Sequence, residues 1–272
     1  MKIYHKLLIY LLSISSSLIL TNCKQQYSHL NKILSAPCDT ETTNEEGEIK
    51  CYKNVDGKRY ILDFYENGQV KTIYEMKLDE HDKIIFHGVV KEFYDTGELK
   101  MESSYLDNSL NGSVKFYYND GKLETEGTYL AGHIIDESKS YYNNGNLKYY
   151  VFRDRDGNTR YYREYNKLGQ LVKEEGNAIA YVLYSSDNSN VKIGDTITSK
   201  YKVANPPNTV IDLKLLVDND NLDLKNLDPL KWSHVFNFSG KYKMKAVLQM
   251  RDIKSNKTKL DSLITEITVV EP

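Results

Sequence analysis

Three cysteines, six histidines and a few tight groups of carboxylates are the residues of this 272-residue chain whose types could do chemistry. The histidines are His5, His29, His81, His87, His133 and His234. No two stand at the helical interval that would bring both imidazoles to one metal, and none neighbours a cysteine. The Gly-x-Ser-x-Gly elbow, the phosphate-binding glycine loop and the dinucleotide fingerprint are absent from the sequence. Glu124, Glu126, Glu174 and Glu175 could pair across strands like a glycosidase dyad, yet carboxylates strung along hairpins ordinarily form a solvated face. Asp218, Asp220 and Asp223 are close enough to offer oxygen ligands to Ca²⁺. Their stretch lacks the glycine and distal glutamate of a calcium loop. The expectation is therefore no catalytic residue, no metal, no cofactor and no enzyme.

The cysteines speak instead about location. Lys2 and Lys6 precede an apolar stretch from Leu7 to Leu20, and fourteen positions fall short of the roughly 20 helical residues that cross a bilayer. Residues 1–22 therefore read as a signal peptide. Leu20-Thr21-Asn22-Cys23 resembles a bacterial lipobox. That resemblance implies acylation of Cys23 and a membrane anchor, although Asn22 departs from the usual small residue and a soluble secreted protein is the alternative. With Lys24 and no Asp after the cysteine, it also implies the outer membrane of a Gram-negative cell envelope, facing either side. Export would place Cys38 and Cys51 in an oxidising compartment, where two nearby thiols usually form a disulfide. Such a bridge contributes about 2–3 kcal/mol; two free thiols are the alternative. Residues 23–46 are polar and acidic without sustained periodicity and are expected to be a tether.

A formal net charge of -2 argues against a nucleic-acid partner, because such proteins carry a basic face that displaces counterions from phosphate. The unusual number is 23 tyrosines, of which sixteen fall between Tyr52 and Tyr165 and four after Gly176. A repeat explains that clustering. Phe64-Tyr65-Glu66-Asn67-Gly68 recurs as Phe93-Tyr94-Asp95-Thr96-Gly97, Tyr117-Tyr118-Asn119-Asp120-Gly121 and Tyr141-Tyr142-Asn143-Asn144-Gly145, with a weaker copy ending at Gly169. Successive glycines lie 29, 24, 24 and 24 residues apart, and an aliphatic follows two residues later: Val70, Leu99, Leu123, Leu147, Leu171.

These columns predict antiparallel hairpins. Asn-Gly and Asp-Gly accept positive φ at both central positions of a tight turn, and the flanks are short and partly alternating. Alternation would put the two aromatics of each pair on opposite faces, giving an aromatic and aliphatic face and a polar one. Hairpins in series bury a continuous strip that one hairpin cannot. The segments from Gly88 to Lys100 and from Gly112 to Leu123 resemble the bacterial variant of the MORN repeat over residues 59–176. Asp136 and Arg160 stand where its units begin with glycine. Proteins with this variant are often labelled YwqK-family antitoxins, which implies a toxin protein as partner.

After Gly176 about seven strand-like runs, separated by Asn, Asp, Gly and Pro, predict a β-sandwich. Val191-Lys192-Ile193-Gly194-Asp195 and Phe238-Ser239-Gly240-Lys241-Tyr242-Lys243 resemble immunoglobulin-like domains of secreted bacterial proteins. The expected fold class is all-β: an open MORN-like hairpin-repeat sheet over 47–177, then an immunoglobulin-like sandwich over 178–272. The expected function is a non-enzymatic envelope lipoprotein whose repeat sheet binds a protein or a surface polymer, with Tyr65, Tyr94, Tyr118 and Tyr142 as the candidate face. An immunity protein against an exported toxin and a glycan-binding protein are the alternatives. Against the latter stands the single Trp232.

Overall fold

The computed structural model describes residues 28–43, 48–184, 191–217 and 231–271, without the side chains of 180, 181, 183, 184, 217, 231 and 232. The signal peptide, Cys23, the Asp218–Asp223 cluster and the indole of Trp232 lie outside the described residues. Twelve strands follow one another in a single antiparallel hairpin sheet: β1 (Thr40–Thr43), β2 (Ile49–Val55), β3 (Lys58–Phe64), β4 (Val70–Leu78), β5 (Ile84–Phe93), β6 (Leu99–Leu106), β7 (Ser109–Tyr117), β8 (Leu123–Leu130), β9 (His133–Tyr141), β10 (Leu147–Arg153), β11 (Thr159–Tyr165) and β12 (Leu171–Gly176). Then come β13 (Ile179–Tyr184), β14 (Val191–Lys192), β15 (Thr196–Val203), β16 (Thr209–Val217), β17 (Lys231–Val235), β18 (Gly240–Asp252) and β19 (Thr258–Val270). These form two smaller sheets in the orders β13-β15-β17 and β14-β19-β18-β16.

The chain divides into two compact units, one ending at Lys100 and including Ser104–Ser109, the other holding Met101–Ser103 and everything from Leu110. In the first, a helix over 28–35 lays Leu30 and Ile33 on Cys51, Tyr60, Leu62 and Ile73. Within the stretch 23–46 expected to be a tether, the described residues thus hold a packed helix and β1. Two helical turns offer one or two apolar contacts, too short a run to show a period. Lys53, 6% exposed, reaches under the helix and donates from Nζ to the carbonyls of Ile33 (2.9 Å) and Leu34 (3.2 Å). It thereby satisfies carbonyls that a helix end leaves orphaned. Cys38 and Cys51 are joined by a disulfide, Cα atoms 5.5 Å apart, tying the residues after the helix to β2.

In the second unit β8 has no buried residue, whereas Tyr150, Phe152 and Tyr161 on β10 and β11 are sealed into the same core as the two small sheets. That core is built by alternation: Ile197, Ser199, Tyr201 and Val203 point inward from β15, and Met244, Ala246, Leu248 and Met250 from β18. The sheets change between Gly176 and Ile179. The apolar core extends back across that point.

Candidate functional site

The repeat columns turn out to encode a particular turn. In each copy the second aromatic lies just past the strand, and its N–H donates to the carbonyl four residues on: Tyr65 to Gln69, Tyr94 to Glu98, Tyr118 to Lys122 and Tyr142 to Asn146, each at 2.8 Å. The glycine N–H returns to the carbonyl of that tyrosine at 2.8–2.9 Å. Only the glycine has left-handed φ, for example 79° at Gly68 and 80° at Gly121. This is a three-residue loop closed by a left-handed glycine, not the two-residue turn expected with positive φ at both central positions. The two-residue kind does occur, but at intervening turns: Asp56-Gly57, Asp107-Asn108 and Ala131-Gly132 have positive φ at both positions. Asn67, Asp120 and Asn144 instead accept a backbone N–H two residues on, a role suited to a short polar side chain.

Tyr65, Tyr94, Tyr118 and Tyr142 therefore stand at turn corners, not in the strand alternation, and all four are half-buried. Their reach is repetitive. The Tyr65 hydroxyl donates to the carbonyl of Phe93 (2.8 Å), Tyr118 to that of Tyr141 (2.7 Å) and Tyr142 to that of Tyr165 (2.9 Å). In every case the acceptor is the first aromatic of the next copy. Turn amides run in parallel, Asn67 to the Asp95 carbonyl (3.0 Å) and Asn144 to that of Lys167 (2.8 Å). These bonds stitch copy to copy. The ring faces are what a ligand could still use, and Lys71 and Lys148 already lean over Tyr65 and Tyr142 at 5.9 and 5.6 Å.

In the first unit Tyr65 borders a groove of about 820 Å³ that Phe64 and Ile49 also line. Its rim carries Glu41, Glu48, Glu66 and Asp95 against the one lysine Lys71. Such a rim favours a basic occupant.

Sequence reasoning missed a second cluster. Arg163 on β11 is 1% exposed. Its Nε donates to the Tyr161 hydroxyl (2.6 Å) and Glu174 (2.9 Å), its Nη1 to Thr209 (2.8 Å), with Asp252 at 3.6 Å. Tyr161 also donates to Glu174. Burial by itself would lower the Arg163 pKa, but the surrounding Tyr161, Tyr165 and Glu174 outweigh it and hold the guanidinium charged. Through this one side chain β11 and β12 of the repeat sheet grip β16 and β18. Tyr161, Arg163 and Tyr165 share one face, and Arg163 stands opposite Glu174 in a register that the sequence by itself does not show.

A family model described as the MORN repeat variant matches residues 86–107, 110–131 and 137–154. Three central copies thus match that repeat variant. The matches begin at β5 and end at the close of β10, so the Tyr65 copy and the Arg163 strand lie in outlying units. No curated protein matches the chain in sequence. Among solved structures, the extracellular domain of the putative hybrid two component system BT4673 from B. thetaiotaomicron aligns over 86% of this chain and 37% of its own, at 9% identity and a TM-score of 0.24. A second structure, titled as a one component system BT4673 from the same organism, aligns over 86% and 36%, again at 9% and 0.24. The chain thus spans little more than a third of these proteins. Among the described residues no helix is long and apolar enough to cross a membrane, which says nothing of β-barrels.

Proposed function

We propose that the protein is a non-enzymatic, lipid-anchored envelope protein whose MORN repeats bind another protein, with the acidic groove beside Tyr65 as the contact. The observation that carries this reading is the groove itself, where Phe64, Tyr65 and Ile49 stand among four carboxylates and one lysine. Aromatic rings and a charged rim are what a protein-binding patch combines. The hydroxyl of Tyr65 already has a partner, so its ring and not its oxygen is the contact. Lipid attachment at Cys23, the outer membrane and the immunoglobulin-like character of the C-terminal sheets belong to the same proposal and rest on the sequence resemblances.

The test is capture from envelope extract by the chain from Lys24 onward, which keeps every described residue and replaces the anchor by a soluble tag. Capture of a basic protein that survives Tyr65→Phe and fails with Glu66→Gln/Asp95→Asn is expected. Loss with Tyr65→Phe alone would mean that the hydroxyl, or the fold it supports, mattered instead. A captured toxin would select the immunity role implied by the YwqK-family resemblance, and an adjacent toxin gene would agree with it.

A further inference from the structure

The β14-β19-β18-β16 sheet has an inner face in the core and an outer face whose composition is unlike the rest of the chain. Along β18 the outward positions are Lys241, Lys243, Lys245, Val247, Gln249 and Arg251. Strand geometry sets the lysines in a row about 7 Å apart. Lys214 joins them from β16, opposite Val247, and Lys192 from β14. Among the described outward residues of these strands, only Asp212 and Glu266 oppose these six cations, in a protein whose net charge is -2. Between the cations lie exposed aliphatics: Leu260 (67% exposed), Ile264 (59%), Val210 (44%), Val270 (43%) and Leu216 (38%). Register sets Ile264 and Leu216 directly on either side of Lys245.

We propose that this outer face lies against an anionic bilayer surface. Lysines that merely guard a sheet belong on edge strands, but β18 is paired on both sides. A protein interface would deplete lysine from its centre and supply aromatic anchors, and no outward residue of these strands is aromatic. Nucleic acid or a soluble polyanion would use the cations and leave five aliphatics facing water. Anionic headgroups accept distributed cations without a fitted pocket, and the headgroup boundary accepts short aliphatic side chains between them. The proposal is independent of the acyl anchor.

Cosedimentation of the chain from Lys24 onward with phosphatidylcholine vesicles, with and without phosphatidylglycerol, tests it. Binding only where phosphatidylglycerol is present, weakening with salt, is expected. Lys241→Gln/Lys243→Gln/Lys245→Gln should lower affinity on the order of a hundredfold, and Leu260→Ser/Ile264→Ser on the order of tenfold. Lys83→Gln/Lys167→Gln/Lys200→Gln removes equal charge from other exposed positions and should change little. Unchanged melting of each variant shows that the sheet is intact. The proposal is overturned if phosphatidylglycerol makes no difference or if the control triple is equally damaging. Displacement from vesicles by soluble polyglutamate at equal charge would also overturn it, pointing to an acidic protein.

Discussion

The first and last hairpins of the repeat sheet cover their apolar faces by different means, and the hairpins between them are hardly covered at all. The first are sealed by a two-turn helix held by Lys53 and followed by the Cys38–Cys51 disulfide. The last share a core with the two small sheets and are locked to them by Arg163. Between them, β8 buries nothing. A sheet one layer thick has too little burial to stand alone. The difference teaches that the tyrosine row matters most where covering is thinnest, and that the outlying copies are atypical because each has taken up a capping role.

The sharpest way to break this comparison is Arg163→Met. It leaves Glu174 and Asp252 without their cation, and removing one partner of a buried pair costs about 3–5 kcal/mol. Urea unfolding should show that loss, with part of it recovered in Arg163→Met/Glu174→Leu. A loss no larger than at an exposed arginine would mean that the last hairpins are merely adjacent to the small sheets.

Alkaline pH probes the first hairpins through Tyr60. Tyr60 is 3% exposed and its hydroxyl meets His29 at 3.1 Å. Burial first, then the charges of Glu75 and Asp56, push its pKa up to about 12. The folded state thus holds the proton more tightly than the unfolded chain, whose phenol titrates near 10. Its contribution is complete below pH ~10 and is lost as pH rises toward 12, a change on the order of 3 kcal/mol. Tyrosinate absorbance should show late titration coincident with loss of stability, and Tyr60→Phe should remove one tyrosine's share of both, leaving that of Tyr162, which burial also pushes up to about 12. Cys38→Ala/Cys51→Ala should then cost about 2–3 kcal/mol in denaturant, less than Arg163→Met, because it frees a short loop and leaves no charge buried.

Much of the fold was legible because it repeats. Glycine and aliphatic columns recurring over five copies fix strand spacing, and the alternation after Gly176 locates β13 to β19 within a few residues. The capping elements were not legible, since each occurs once. The helix over 28–35 is too short to show its period, and Arg163 reads as an ordinary surface charge until its register with Glu174 is known. Of the candidate site, the tyrosines were found but their use was not. Alternation cannot assign a face to a residue that sits beyond the strand end, where the loop type decides where the ring goes.

The mildest prediction tests the stitching itself. Tyr118→Phe keeps the ring and removes one hydroxyl that donates to the Tyr141 carbonyl, so it should cost about 1 kcal/mol. Because the flanking β8 lacks buried residues, no cover masks that loss; Tyr65→Phe, beside the helix-covered hairpins, should cost less. The weak last copy supplies the complementary substitution. There Asn166 replaces the second aromatic, and its Oδ1 accepts the N–H groups of Leu168 and Gln170 at 3.0 Å. No further copy follows to offer a carbonyl, so a tyrosine hydroxyl at this corner would have nothing to reach. Asn166→Tyr should therefore destabilise slightly, by roughly the 0.5–1.5 kcal/mol of a lost local hydrogen bond. A tyrosine that stabilised there would show that the ring, and not the bond to the next copy, is what the repeat selects.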